Sequence, residues 1–62
     1  MIREFRDGRS RTVIRTEPDG RVAVEGYDGE LLVHRTTYNT ATAEAIGLAV
    51  IDAVKEVLDA RQ

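Results

Sequence analysis

TATAEAIGLAVIDAVKEVLDAR, residues 40–61, is the stretch that decides the fold. With Ile46 at zero and 100° per residue, Ile46, Val57, Val50, Val54, Gly47, Leu58 and Ile51 fall within about 140° of helical arc. Ala53, Ala60 and Ala49 widen the stripe to about 200°, and Lys55, Asp59, Asp52, Glu56 and Glu44 fill the remainder. A helix resting on one core needs only about 100°. Either this helix is seated deeply in its own small domain, or one flank meets a sheet and the other a second subunit. Some twenty residues give roughly 30 Å of helix, whereas six- or seven-residue strands span about 20–23 Å. The Val57–Leu58 end is therefore expected to overhang. Ala43 and Gly47, four apart, leave a shallow strip for close packing, and Leu48 stands alone between Lys55 and Asp59. The self-association candidates are Ala43, Gly47, Leu48, Ile51 and Leu58. Asn39 or Thr40 is the expected cap.

The preceding residues carry three Asp-Gly pairs: Asp7-Gly8, Asp19-Gly20 and Asp28-Gly29. Asp-Gly between strand-like runs is a strong hairpin signal, because the type I′ turn needs positive φ at both central residues. Glu17-Pro18-Asp19-Gly20 fits a type I turn instead, with Gly20 in the left-handed place that makes a bulge. Three hairpins predict a four-stranded antiparallel meander, near 2–6, 10–16, 21–27 and 30–36. The predicted class is α+β (ββββα), a single domain over 1–62, with the meander in 1–38 and the helix in 39–62 packed on one face.

Turn positions set register, and register assigns faces. Centred on the Asp-Gly pairs, Val24 opposes Val33, Gly26 opposes Leu31, Phe5 opposes Ser10 and Met1 opposes Ile14. Around Pro18, Ile14 opposes Val24 and Thr16 opposes Val22. Met1, Phe5, Ile14, Val22, Val24, Leu31 and Val33 then share one face, which the helix is expected to cover. The other face is mostly polar, and its partner-binding candidates are Arg6, Arg11, Arg15, Tyr27, Leu32 and His34.

Sixty-two residues without cysteine leave one small domain with no disulfide or thiolate chemistry. Such chains bury only about 60% of their unfolded surface, and oligomerisation is a common remedy. The opening Met-Ile-Arg-Glu-Phe-Arg reads as no signal peptide, and no apolar run approaches the roughly 20 residues of a membrane span. A cytoplasmic protein is expected. Net charge is −2, against generic nucleic-acid binding. It is polarised: residues 1–16 hold five Arg against Glu4 and Asp7, and 17–38 hold two Arg against five acids.

No motif points to catalysis, a cofactor or a metal. Ser10 and His34 are the single serine and histidine, and the expected register puts them on opposite faces, outside the reach a nucleophile and base require. His34 with Glu25 lacks a third metal ligand. The sheet-then-helix order is similar to the small domains with which some phage-type integrases and plant transcription factors lay strands in the major groove. That resemblance would give Arg6, Arg9, Arg11 and Arg15 phosphate and base contacts. Glu17-Pro18-Asp19-Gly20 followed by strands and an Ala/Glu helix also resembles small antitoxins of the HicB type, which neutralise an RNase partner. The second resemblance carries no residue across. The expectation is a non-enzymatic module acting by protein–protein contact (an inhibitor, adaptor or phage-type accessory protein), homodimeric and with an unidentified protein partner. The alternative is DNA binding through the Arg-rich first hairpin.

Overall fold

Three glycines in the left-handed region turn the chain back on itself, at Gly8 (φ 62°), Gly20 (φ 87°) and Gly29 (φ 62°). The computed structural model describes residues 1–61. Its strands are β1 (Ile2–Asp7), β2 (Ser10–Thr16), β3 (Val22–Asp28) and β4 (Leu31–Tyr38), followed by the helix α1 (Thr40–Ala60). The strands form one antiparallel sheet in the order β1-β2-β3-β4. The fold is ββββα.

The central hairpin has the expected register, with Ile14 opposite Val24 and Thr16 opposite Val22. Its turn is closed by Gly20 N donating to Glu17 O (3.0 Å) and Glu17 N donating to Arg21 O (2.8 Å). Asp19 accepts from Arg21 N at 3.0 Å.

The other two hairpins differ from the sequence reading. Asp7 pairs with Ser10 and Asp28 with Leu31, so the loop residues are Gly8-Arg9 and Gly29-Glu30. No non-glycine residue has positive φ among the described residues, which rules out type I′ and fits type II′, whose glycine is the first central residue. In the first hairpin the pairing therefore slides by two. Phe5 meets Thr12 rather than Ser10, and Ile14 faces Arg3 rather than Met1. An even slip preserves the faces.

The last hairpin contains a further irregularity. Tyr27 pairs with Leu32, but Gly26 pairs with His34, and the register shifts between them. Val33 is the extra residue of a β-bulge. The expected pairs Val24–Val33 and Gly26–Leu31 are thus replaced by Val24–Thr36 and Gly26–His34. A single inserted residue reverses every downstream side chain. His34, Thr36 and Tyr38 fall on the helix side of the sheet, and Arg35 and Thr37 on the other.

Asn39 caps the helix, its side chain accepting from Thr42 N at 2.8 Å, while Thr40 Oγ1 donates to Gly20 O at 3.2 Å. These bonds set the first turn of α1 beside the Pro18 loop. From there Ala43, Ile46, Gly47 and Val50 pass over Ile14, Val22, Val24 and Tyr38, leaving a cleft of about 360 Å³ between helix and sheet. The expected shielding of the apolar strand face is incomplete. No residue of α1 is buried, and Phe5 and Leu31 are 57% and 67% exposed. Among the described residues the buried positions are Ala23 (0% exposed) and Glu25 (3%). Both lie on β3 and point to the face away from the helix. The most protected part of the molecule lies there because long arginine side chains fold across the middle strand.

Candidate functional site

Two surfaces are candidates, the charged sheet face and the apolar stripe of α1. On the charged face, the register brings Glu4 and Arg6 of β1 beside Arg11, Val13 and Arg15 of β2, then Ala23, Glu25 and Tyr27 of β3. Glu25 lies at its centre. It accepts hydrogen bonds from Arg15 Nη2, from Arg35 Nε (3.3 Å) and from Tyr27 Oη (3.3 Å). Arg35 Nη2 reaches on to Glu17 at 2.7 Å. A carboxylate this buried persists only when paired and hydrogen-bonded, and here it holds three donors.

A second cluster adjoins the first. Arg11 donates to Glu4 Oε1 at 2.8 Å and lays its guanidinium 4.1 Å from the centre of the Tyr27 ring. Arg6 reaches the same carboxylate oxygen at 3.4 Å. The Arg11 hydrogen bond holds the Glu4 carboxyl below its ordinary pKa, reinforced by the charges of Arg6 and Arg11 against an opposing desolvation. Arg11 Nε is buried without a hydrogen-bond partner. Stacking on Tyr27 offsets part of that cost, at about 0.5–1 kcal/mol for a partly exposed cation–π contact.

Of the candidate partner-binding residues, Arg6, Arg11, Arg15, Tyr27 and Leu32 share this face, whereas the bulge carries His34 to the helix side. There it stands over Gly26, with Nε2 2.8 Å from Thr36 Oγ1. The expectation that Ser10 and His34 face opposite ways is overturned as well, since both now share the helix side. They remain on β2 and β4 with β3 between them, about 10 Å of sheet and beyond hydrogen-bond reach. Sequence reasoning missed Arg35 altogether. It is the second arginine on Glu25, and only the bulge puts it there.

The self-association candidates divide into two groups. Ala43 and Gly47 line the cleft above the sheet, while Leu48, Ile51 and Leu58 are 57%, 51% and 51% exposed. Beyond the sheet, the same side of α1 continues as an open apolar surface formed by Val50, Ala53, Val54, Val57 and Leu58, with Arg61 at its end and no strand residue beside it. Gly47 has open space where a Cβ would stand. Glycine inside a helix costs about 1 kcal/mol against alanine, so Gly47→Ala is expected to stabilise the fold by about that amount in urea unfolding. A loss of stability would instead locate a second backbone at Gly47.

Among the described residues no helix is long and apolar enough to cross a membrane, and no group of three metal-ligating side chains occurs. Compared with known protein families, curated proteins and solved structures, the chain matches none.

Proposed function

We propose that this chain is a non-enzymatic binding module that acts by protein–protein contact, as an inhibitor, adaptor or phage-type accessory protein, and that it works as a homodimer in the cytoplasm. One observation carries the reading. Large apolar side chains from Met1 to Leu58 stand 41–69% exposed on both sheet and helix, while Ala23 is the buried apolar residue among those described. Exposed apolar surface gathered on the helix-side strand face and along the stripe of α1 is of the kind that marks protein interaction sites.

The DNA-binding alternative draws on Arg6, Arg9, Arg11 and Arg15. Each of the four holds a carboxylate in its own chain, Glu4, Asp28, Glu4 and Glu25 respectively. Phosphate contact would have to displace those acids. Affinity purification from the native host separates the readings. The expected result is a protein retained through high salt, and its loss when Leu32→Asp is introduced at the 46%-exposed leucine. Nucleic acid released steeply by salt would overturn the proposal in favour of the first hairpin. Loss of a biological readout in both Ser10→Ala and His34→Ala would overturn it in favour of an enzyme.

A further inference from the structure

We infer that the second half of α1 is the seat of a second copy of this chain, with the two helices antiparallel and stripe to stripe about a two-fold axis passing Val54. The inference rests on the homodimer reading above and names its interface.

The open apolar surface along Val50, Val54, Val57 and Leu58, with Arg61 at its end, belongs to the helix alone. On the helical wheel Val50, Val54 and Val57 lie at about 40°, 80° and 20°, the same direction as Ala43 and Ile46 at about 60° and 0°. One straight stripe therefore borders the open cleft above the sheet with its first half and has no strand residue beside its second. An occupant must approach from the sheet side of the helix, past the end of the first half.

Area identifies the occupant as a surface of protein size. A compact monomer of 6.9 kDa exposes about 4,000 Å². This chain exposes 5072 Å², an excess of roughly 1,000 Å² over that scaling. A standard stable interface takes about 800 Å² from each partner. The excess, spread over the open cleft, the stripe and exposed strand residues such as Phe5 and Leu31, is as large as the share one partner gives to a stable pair.

The stripe is also apolar on both sides of such an axis, as pairing with a second copy requires. A two-fold axis at Val54 sets Val54 against itself, Val50 against the second copy's Leu58, and Ile51 against its Val57. Isologous contact requires this kind of reciprocal match. The acids stay out of the way, since Asp52 and Glu56 lie more than about 120° round the helix from the middle of the stripe. Valine and alanine at the crossing allow the short end of the 8–10 Å range of helix separations.

Cross-linking tests the geometry, because the chain has no cysteine. Val54→Cys is expected to give a disulfide-linked dimer under mild oxidation, whereas Leu48→Cys, on the far side of the helix, stays monomeric under the same conditions. Val54→Lys is expected to sediment at 6.9 kDa with its helical signal intact, since Val54 is already 51% exposed in the isolated chain. Equal cross-linking of both cysteine variants, or a dimeric Val54→Lys, would overturn the interface. A dimer that Val54→Cys fails to cross-link would overturn the geometry while self-association stood. A chain monomeric at every concentration would overturn the inference, and a salt-resistant hetero-partner would then leave the protein-contact reading in place.

Discussion

Glu25→Ala is expected to cost about 2–3 kcal/mol of folding stability, the largest loss for any single truncation on the charged face. The side chain is 4% exposed and accepts from two guanidinium groups and a phenol. Hydrogen bonds to charged groups contribute roughly 1.5–3 kcal/mol each, but the three do not sum. The side chains of Arg15 and Arg35 are 37% and 44% exposed, so both can turn to water when Glu25 is gone, and solvent screening discounts each contribution. A small core seldom supplies more than about 3–5 kcal/mol, so this loss brings the chain close to unfolding at room temperature. Glu17→Ala is the natural comparison. It removes the other acid on Arg35 from a more exposed position, and a loss below about 1 kcal/mol is expected. Urea unfolding of both variants checks the ranking. Equal effects would mean that Glu25 does not organise the sheet.

The second large effect is on thermal stability as a function of concentration. If folding and pairing are coupled, the melting temperature follows protomer concentration. Each tenfold dilution removes about 1.4 kcal/mol from the association term. A chain of 62 residues changes its midpoint by about 4–8 °C per kcal/mol. A hundredfold dilution, its cost shared between the two chains of a pair, is therefore expected to lower Tm by on the order of 10 °C. An unchanged midpoint over that range would show that the chain is stable as a monomer, with its apolar stripe open to water.

Much of the fold is legible in the residues. The three Asp-Gly pairs mark three hairpins, and the 3.6-residue apolar period marks the helix to within two residues of its observed ends. Two local choices are harder to read. Asp-Gly allows glycine as either the first or second central residue of the loop, and the structure takes the first at Gly8 and Gly29. That choice slides the first hairpin by two residues without exchanging its faces.

The bulge at Val33 has larger consequences, and the sequence does hold a signal for it. Strict alternation from Leu31 and Val33 would place Arg35 under the helix and leave Tyr38 outside. A charged residue with the wrong parity and an aromatic one with the wrong parity, on the same strand, both call for one extra residue upstream. With that residue in place, Tyr38 lines the cleft beneath α1 and Arg35 reaches Glu25. The incomplete cover over Phe5 and Leu31 is less legible. Hydrophobic period shows which side of a helix is apolar, but not how far that side stands from the sheet or where along it the contact stops.

The charged face and the apolar stripe divide the work of holding the chain together. Glu25 and its arginines fix the sheet from one side. On the other side α1 is anchored by its cap and by the Thr40–Gly20 bond, and its second half is left free to engage another surface.

Sedimentation equilibrium of the unmodified chain from nanomolar to tens of micromolar tests most directly whether a second copy completes this fold. A species of about twice 6.9 kDa at the upper concentrations, dissociating on dilution to the single chain, is the expected result. A folded 6.9 kDa species at every concentration would contradict it.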